Sequence, residues 1–284
     1  MSVRDHSARE NAERHERWSL FVTGGSGYLG HEVTRVVRER GIPFEAPGRS
    51  EGIDLLQPFE LEDIVAAMFA RCDKPPLLIH LAAWSRQSDC DHEPENAFRA
   101  NAEATGALAT VVARFGGRMV YTSTDLVFDG ADAPYDEDAE ANPISVYGRS
   151  KLLGERYVRT HAHDLIIRIP LLYGPSFDGL RGASDPLLNA AREGRELRLF
   201  DDEWRTPLDV REAATRIVDL ALSDAVHVRH VAGKDRLSRY ELGMRILRDA
   251  GLEASGSGFR ITATKRGELR GSPRPEDCSL VSLF

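Results

Sequence analysis

Tyr147 and Lys151 are a pair of residues whose types and spacing could move a proton. They lie four positions apart in a segment with a helical pattern, so a helix would place both side chains on one face. A free phenol titrates at about pH 10, and a nearby ammonium group favours its ionised form, closer to the working range of a proton donor and acceptor. Because this spacing also occurs by chance in many helices, the pair needs support from the surrounding sequence.

The segment V-Y-T-S-T-D at 120–125 gives that support. It forms the end of the fourth predicted strand and places hydroxyl groups, including that of Thr124, at the carboxyl end of a central strand. Ligands of open α/β sheets bind in the crevice outside such strand ends. The sequence therefore predicts a site in which hydroxyl groups lie near Tyr147 and Lys151.

A glycine pattern near the start of the chain predicts where a nucleotide would bind. Gly24, Gly27 and Gly30 have G-x-x-G-x-x-G spacing directly between the first predicted strand and its helix. One glycine allows a tight bend, another lets the backbone approach a pyrophosphate, and the third lets helix and strand pack closely. The helix N-terminus adds unpaired N–H groups and positive potential. A tight turn without a ligand is the alternative, but the position in the first strand-turn-helix unit favours dinucleotide binding.

The end of the second predicted strand favours one dinucleotide over the other. An acidic side chain there commonly binds the ribose 2′-hydroxyl of NAD, whereas a cation accommodates the 2′-phosphate of NADP. The sequence E-A-P-G-R-S at 45–50 places Arg49 and Ser50 at this point, and both suit a phosphate. Glu45 would matter instead if the strand ended two residues earlier. We therefore expect NADP(H) to be preferred, with NAD(H) as the alternative.

Short apolar runs alternate with helical patterns through the first half of the chain. The run W-S-L-F-V at 18–22 is followed by apolar residues at 29, 33, 36 and 37, one stripe of an amphipathic helix. Continuous apolar strands separated by helices indicate a parallel sheet covered on both faces, and right-handed crossovers then give an α/β, Rossmann-like doubly wound fold. The other predicted strands are a run ending near 46 and the runs 77–81, 118–121 and 165–169; the other predicted helices cover 61–69, 108–115, 147–158, 211–222 and 239–250.

The pattern changes after Gly174, where glycine and proline interrupt it. We expect a dinucleotide-binding domain at 18–174, with elements returning to it from about 203–235. A smaller C-terminal substrate-binding lobe would be formed mainly by 175–284. Residues 1–17 are highly charged, which predicts a flexible N-terminal extension. The acidic segment 125–140 has no basic residue and is interpreted as a solvated loop, with a lid over the site as the alternative.

Composition and charge narrow the classes of function. The chain has 284 residues and a net charge of -8, without a basic patch, so we expect no nucleic-acid partner. Its longest apolar stretch is about half of a membrane span, which, with the charged N-terminus, predicts a soluble cytoplasmic protein with no membrane partner. Cys72, Cys90 and Cys278 are far apart and form no C-x-x-C pair, so we expect neither disulfides nor a metal site.

These residues resemble a known family, the extended short-chain dehydrogenase/reductases, and within it the dTDP-4-dehydrorhamnose reductase (RmlD-like) group. The resemblance extends from about Ser19 to Leu280. Its most specific parts are S-T-D-L-V-F-D-G at 123–130, similar to the group's S-T-D-Y-V-F-D-G, and P-I-S-V-Y-G-R-S-K-L-L-G-E at 143–155, similar to P-x-x-x-Y-G-x-S-K-x-x-G-E. R-S and D-L within 49–55, H-L-A-A at 80–83, Asn101 and R-P at 274–275 add to it.

The resemblance implies a role for each candidate residue. Thr124 would hydrogen-bond the substrate carbonyl, Tyr147 would protonate the developing alkoxide, and Lys151 would hold the cofactor ribose while lowering the Tyr147 pKa. Hydride would come from NADPH. Arg205 resembles an arginine that contacts the diphosphate of a nucleotide sugar, with a surface salt bridge as the alternative. The implied cofactor residues are Gly24, Gly27, Tyr28, Leu29, Gly30, Arg49, Ser50, Asp54, Leu55, Leu81, Ala82, Ala83, Asn101, Tyr147 and Lys151; the implied substrate residues are Trp84, Asp125, Leu126, Leu171, Arg205 and Arg274.

Two departures from the family pattern leave the substrate open. Dehydratases of the wider family have glutamate after the Thr-Asp pair, so Leu126 argues against dehydration; the reductase group prefers tyrosine at 126 and tryptophan at 171, where this chain has leucines. We expect an NAD(P)H-dependent reductase of a 4-keto-6-deoxy nucleotide sugar. The alternatives are the same chemistry on a non-sugar carbonyl or imine of a natural-product pathway, and a non-catalytic NADP-binding regulatory subunit. A homodimer is expected from the habit of the family.

Overall fold

A six-stranded parallel sheet forms the centre of the structure, a computed structural model that describes residues 16–252, 259–268, 271 and 273–284. The strands in chain order are β1 (Ser19–Thr23), β2 (Phe44–Glu45), β3 (Pro76–His80), β4 (Arg118–Thr124), β5 (Leu165–Ile169), β6 (Leu172–Tyr173), β7 (Leu197–Phe200), β8 (Trp204–Arg205), β9 (Leu208–Asp209), β10 (His227–His230), β11 (Leu237–Ser238) and β12 (Ile261–Thr264). The central sheet has the order β10-β5-β4-β3-β1-β2. This order confirms the predicted Rossmann-like doubly wound fold. The predicted extension 1–17 lies outside the described residues, except for residues 16 and 17.

Helices cover both faces of this sheet. In chain order they are α1 (Tyr28–Glu39), α2 (Pro58–Phe69), α3 (Gln87–His92), α4 (Pro94–Phe98), α5 (Ala104–Arg114), α6 (Val146–Val158), α7 (Ser184–Arg192), α8 (Val210–Leu222) and α9 (Arg239–Asp249). Short 3₁₀ turns occur at Arg49–Glu51, Asp125–Val127 and Arg266–Glu268, and a π-helical turn at Arg99–Glu103 leads into α5. Helices α1 and α8 pack on one face of the sheet, whereas α2, α5 and α6 pack on the other.

Alternating strand residues divide the main core into two layers. Leu20 and Val22 of β1 pack with α1 and α8, while Phe21 between them packs with α2 and α5. This follows from the strand geometry, in which successive side chains point to opposite faces. Strand β3 is buried along its whole length, which explains why its sequence is a continuous apolar run.

A second, smaller hydrophobic core lies in the C-terminal lobe. Helices α7 and α9 and the paired strands β7 and β12 enclose Leu187, Leu242, Ile246 and Phe259. Leu171, which was predicted to contact the substrate, packs against this cluster. Strand β10 and helix α8, which follow this lobe's first elements in the chain, return to the main sheet and its core.

The acidic segment 125–140 is only partly the solvated loop that the sequence predicts. Phe128 and Tyr135 are buried in a cluster with Leu280. The Glu137 carboxylate is also buried and accepts a hydrogen bond from the His230 N–H at 3.0 Å. Because backbone donors replace water around this carboxylate, the segment packs on the domain without needing a basic residue of its own.

Two hydrogen bonds join the glycine turn to the loop that follows β6. The Tyr28 hydroxyl donates to the Gly174 carbonyl at 2.8 Å, and Arg181 Nη1 donates to the Ser26 carbonyl at 3.1 Å. A Cβ atom on Gly182, whose φ is +69°, would lie 2.5 Å from the Tyr28 ring. Only glycine fits there. This close contact and the two hydrogen bonds hold the start of the C-terminal lobe against the glycine turn.

Three further properties can be stated for the described residues. No helix among them combines the length and the apolar character of a membrane span. They contain no group of three or more His, Cys, Asp or Glu side chains placed to bind a metal ion. The side chains of Cys72, Cys90 and Cys278 are free thiols, so no disulfide cross-links the core.

Candidate active site

A cleft of about 900 Å³ opens at the carboxyl ends of β1, β3, β4 and β5. It extends from the Arg49 turn, along the glycine turn, to α6, and its volume lies within the range of small-molecule sites. The predicted cofactor residues that line it are Gly24, Gly27, Tyr28, Leu29, Gly30, Arg49, Ser50, Asp54, Leu55, Leu81, Ala82, Ala83, Tyr147 and Lys151. Thr124 and Trp84 line the same cleft.

The glycine turn has a shape that side chains would destroy. Gly24 has φ of +74°, and a Cβ atom on it would lie 2.6 Å from the backbone nitrogen of Ala82. A Cβ atom on Gly30 would lie 1.9 Å from the Gly24 carbonyl oxygen, so α1 packs directly on the turn. Helix α1 begins at Tyr28, and its first-turn N–H groups face the start of the cleft. This cradle fits a pyrophosphate.

The nucleotide end of the cleft presents a cation and a hydroxyl. Arg49 and Ser50 are exposed on the 3₁₀ turn after β2, whereas Glu45 does not line the cleft among the residues described. Glu51, which the sequence analysis missed, accepts a hydrogen bond from the Gly48 N–H at 2.7 Å and one from the Ser50 hydroxyl at 2.8 Å. It thereby fixes the turn that carries Arg49. A serine or glycine three residues before a glutamate at a helix start is the signal that could have identified it.

The first turn of α6 brings Tyr147 to Thr124. The Ser145 hydroxyl caps this helix by accepting a hydrogen bond from the Gly148 N–H at 3.0 Å. A Cβ atom on Gly148 would lie 2.1 Å from the Leu126 carbonyl oxygen, so only glycine lets the helix pack on the turn that follows β4. As a result, the Tyr147 phenol comes close to the Thr124 hydroxyl, and both line the cleft.

Burial raises the pKa of Tyr147 above its usual range, and the Asp125 carboxylate and the Cys90 thiol add to this effect, while the neighbouring Thr124 hydroxyl opposes it. Lys151 is not among the groups that shift the pKa of Tyr147 here, so its predicted effect on the phenol stays a prediction. Lys151 Nζ instead lies 4.1 Å from the centre of the Tyr121 ring. The phenol keeps its proton at neutral pH, as a proton donor must.

Lys151 is buried beside a fixed set of polar groups. Burial lowers its pKa to about 7, and the Glu155 carboxylate partly restores it. Glu155 itself forms two hydrogen bonds with Arg168, at 2.9 and 2.8 Å. On the other side, burial and then the charge of Lys151 lower the pKa of His80 to about 3, so this imidazole is neutral. Small changes in the surroundings of Lys151 therefore decide its charge.

Asn101, a predicted cofactor residue, lies behind the cleft wall. It is buried, its Oδ1 accepts a hydrogen bond from the Trp84 N–H at 2.8 Å, and its Nδ2 donates to the Trp84 carbonyl at 3.0 Å and to Ser150 Oγ at 2.9 Å. These bonds use the whole amide group. The structure therefore corrects its role: Asn101 fastens the Trp84 segment to α6.

The predicted substrate residues separate into two groups. Trp84 lines the cleft, but Leu126 and Arg274 are not among its described lining residues. Arg274 Nη1 instead lies 3.1 Å from Glu203 Oε2. Leu171 is partly buried against the second core and is also absent from the described cleft lining. The two positions where the family has aromatic residues therefore have no direct counterpart in the cleft wall.

Arg205 is neither on the surface nor on the cleft wall. Its side chain is 5% exposed, its Nε lies 3.2 Å from Asp125 Oδ2, and its Nη2 lies 3.5 Å from Glu203 Oε1. The predicted surface salt bridge is thus wrong, since both carboxylates are buried as well. Glu203 was missed, although its place two residues before Arg205 in an extended segment puts both side chains on one side of the strand.

Comparison with known proteins gives consistent matches along most of the chain. Residues 18–282 match the family described as RmlD substrate binding domain. A probable low-salt glycan biosynthesis reductase, Agl14 of Haloferax volcanii, is 33% identical over 244 residues, which cover 83% of this chain and 81% of that protein. Methionine adenosyltransferase 2 subunit beta of Danio rerio is 29% identical over 282 residues, covering 93% and 84%.

Solved structures show the same similarity. A hypothetical dTDP-4-dehydrorhamnose reductase from Sulfolobus tokodaii is 30% identical, with a TM-score of 0.78, and the match covers 92% of this chain and 91% of that one. The dTDP-4-dehydrorhamnose reductase from Yersinia enterocolitica has a TM-score of 0.83 at 23% identity, covering 94% and 91%. The second likeness is one of fold alone.

Proposed function

This chain belongs to the family of the RmlD substrate binding domain, and we propose that it is an NADP-dependent oxidoreductase of the extended short-chain type that reduces a 4-keto-6-deoxy nucleotide sugar. The observation that carries the proposal is the convergence of Thr124, Tyr147 and Lys151 in the cleft that also holds the glycine turn. The names of the Sulfolobus and Haloferax relatives, both reductases, support the same reaction type.

The residues present fit an NADP cofactor. The cradle formed by Gly24, Gly27 and the start of α1 suits the pyrophosphate, and Arg49 and Ser50 suit a 2′-phosphate. A related dTDP-4-dehydrorhamnose reductase from Bacillus anthracis was solved with NADP, and a more distant relative with NAD. When bound, the reduced nicotinamide supplies hydride to the substrate carbonyl carbon. NAD(H) is the alternative cofactor.

The chain's own residues would handle the proton. Reduction places negative charge on the substrate oxygen, which the Tyr147 hydroxyl stabilises and then neutralises by giving up its proton. The Thr124 hydroxyl lies beside the phenol in the same cleft. Lys151, in its charged form, supplies positive potential that stabilises the phenolate left behind. The raised pKa of Tyr147 ensures that the proton is present when the substrate arrives.

A second candidate function is favoured by one specific observation. The match to methionine adenosyltransferase 2 subunit beta covers 93% of this chain. By that likeness the protein would be a non-catalytic cofactor-binding subunit, whose cleft binds NADP without turnover. The first proposal requires the Tyr147 hydroxyl as a proton donor, whereas the second does not. One substitution at this residue therefore separates them. The predicted homodimer and compartment stay predictions.

We expect the Tyr147→Phe variant to lose activity and to keep its cofactor. With NADPH and a panel of nucleotide 4-ketosugars, its kcat should fall by about 10²- to 10⁴-fold, because the proton donor is gone. The Kd for NADPH, measured by fluorescence, should stay within about twofold. Tyr157→Phe is the matched control, because Tyr157 lies on the same helix but is 41% exposed. Wild-type protein that binds NADPH and reduces no ketosugar contradicts the first candidate and supports the second.

Removing the Arg49 cation tests the cofactor preference. Arg49→Met should raise the Kd for NADPH by about tenfold, the worth of a single charge-assisted phosphate contact, and leave the Kd for NADH unchanged. Fluorescence titration of both cofactors measures this. Equal effects on the two cofactors would remove Arg49 from the 2′-phosphate site.

A further inference from the structure

The hydroxyl of Thr124 stands at a buried junction between Tyr147 and a carboxylate. It donates its proton to Asp125 Oδ1 at 3.0 Å and accepts a hydrogen bond from the Leu126 N–H at 3.2 Å. A threonine hydroxyl has a single proton. While that proton points to Asp125, Thr124 cannot donate a hydrogen bond to a substrate carbonyl.

The far side of Asp125 is held by Arg205. Nε of this arginine lies 3.2 Å from Asp125 Oδ2, and the two side chains are 5% and 4% exposed. Its other nitrogens are occupied: Nη1 donates to the carbonyls of Trp204 and Pro275, and Nη2 lies within 3.5 Å of the Pro275 carbonyl and of Glu203. No face of this guanidinium is left for a diphosphate.

We infer that Arg205 is a positioning residue, which acts through Asp125 to fix the direction of the Thr124 hydroxyl proton. Arg205 stabilises the Asp125 carboxylate, and the carboxylate takes the threonine proton. A protonated Asp125 could donate its own proton to Thr124 Oγ1, and the threonine would then be free to donate to a substrate oxygen. The inference rests on the proposed function for its effect on catalysis, because that function would place the substrate carbonyl next to this hydroxyl.

The protonated and the ionised forms of Asp125 interconvert close to neutral pH. Burial raises the pKa of Asp125 to about 6, while Arg205 and the Thr124 hydrogen bond lower it and Glu203 raises it. Other charged or titratable groups also act on this carboxylate or respond to it: Tyr147 of α6, Arg239 of α9 and Cys278 near the C-terminus. Among them, Arg205 is the one whose nitrogen is in ion-pair contact with Asp125 in the described residues.

The experiment compares pH profiles of kcat for wild type, Arg205→Met, Arg205→Lys, Asp125→Asn and the double variant Arg205→Met/Asp125→Asn. In wild type, kcat should rise as the pH falls through about 6. In Arg205→Met this inflection should move up by about one to three pH units, since an opposite charge has been removed, and Arg205→Lys should move it less. Asp125→Asn should abolish it, and the double variant should match Asp125→Asn, because Arg205 then has nothing to act through.

A purely structural or substrate-binding role gives different results. A diphosphate ligand would show as a KM for the nucleotide sugar raised by about tenfold or more in Arg205→Met, with the inflection unmoved. That result overturns the inference, as does a double variant in which the two effects add. Arg245→Met is the matched control, because Arg245 pairs at 2.8 Å with Asp235 on the surface, and its profile should equal that of wild type.

A readout without turnover separates this inference from the proposed function. The carboxyl carbon of Asp125 can be titrated by NMR in wild type, Arg205→Met and Arg205→Lys, each first checked for NADPH binding as evidence of folding. A higher midpoint in Arg205→Met supports the inference even if no ketosugar is reduced. An identical midpoint overturns it whatever the kinetics show. Absence of turnover in wild type, by contrast, bears on the proposed function alone.

Discussion

Two of the buried arginine–carboxylate pairs among the described residues, Glu155–Arg168 and Asp125–Arg205, are built differently. Glu155 and Arg168 meet through two parallel hydrogen bonds at 2.9 and 2.8 Å, with both side chains at most 1% exposed. Asp125 and Arg205 meet through a single nitrogen at 3.2 Å, and Asp125 Oδ2 has no hydrogen bond of good geometry in the described structure. Both oxygens of Glu155 are hydrogen-bonded, although Arg168 Nη1 has no hydrogen-bond partner in the described structure, whereas one oxygen of Asp125 is left without a hydrogen bond.

This difference distinguishes a pair that fixes two side chains from a pair whose carboxyl group can change its protonation state. A two-point pair satisfies the desolvated charges and fixes both side chains. The Glu155 carboxylate raises the pKa of Lys151 against the effect of burial. A one-point pair leaves a carboxyl whose protonation state changes near neutral pH, as Asp125 does at about 6. A group of that kind can alter the hydrogen bonds of its neighbour.

Removing the carboxylate of each pair should lower the free energy of unfolding by different amounts. Glu155→Ala should lower the free energy of unfolding by about 3–5 kcal/mol, because it leaves the Arg168 charge buried and unpaired. Asp125→Ala should cost about 1–3 kcal/mol, since Arg205 keeps Glu203 at 3.5 Å. Urea unfolding measures both. Glu39→Ala, at an exposed pair, is the control and should cost less than about 0.5 kcal/mol. A smaller loss for Glu155→Ala than for Asp125→Ala would refute the distinction.

The second test uses the pH dependence of stability. The folded pKa of Asp125, about 6, lies above the ordinary value of 3.8, so the folded state binds this proton more tightly than the unfolded state. Its contribution is complete below about pH 4 and is lost as the pH rises through 6. The difference in unfolding free energy between wild type and Asp125→Asn should therefore fall by up to about 3 kcal/mol between pH 4 and 7.

The use of a difference between two proteins keeps that experiment specific to Asp125. Asp164, whose pKa burial raises to about 7, titrates in the same direction but is present in both proteins and cancels in the difference. Urea midpoints at several pH values in this range give the curves. Parallel curves for the two proteins would mean that Asp125 carries no such proton.

The smallest expected effect comes from replacing each arginine by lysine. Arg168→Lys loses the planar fork that makes two bonds and should cost about 1–2 kcal/mol of unfolding free energy. Arg205→Lys keeps a point charge where only one nitrogen meets Asp125 and should cost less, about 0.5–1 kcal/mol. Thermal or urea unfolding can resolve this order. The reverse order would indicate that the one-point pair is the more tightly built of the two.

Much of the fold could be predicted from the sequence, because local pattern determines it. The glycine turn lies between a strand and a helix, and the buried strands are continuous apolar runs. Helices α3 and α4 have only 6 and 5 residues, too few to show an apolar period, and they were not predicted. Strand β10, H-V-R-H, has no strand-like composition and becomes a strand by pairing with β5 at the edge of the sheet.

The site could be predicted where a single element carries it. Tyr147 and Lys151 share one helix, so their spacing alone places both at the cleft. Arg205 meets Asp125 only through the folded chain, and no local pattern states that an arginine in a strand will be buried. The contacts of Asn101 could not be predicted for the same reason, because its partners at Trp84 and Ser150 lie on other elements.

The bonds from Tyr28 to Gly174 and from Arg181 to Ser26 have a thermodynamic consequence. We expect a ligand bound at the glycine turn to bias the segment 174–182, and a second ligand that contacts this segment would then bind with an affinity linked to that of the first. Such linkage is reciprocal: each ligand changes the binding of the other by the same factor. Residues that contact only one of the two ligands would then also influence the selectivity for the other.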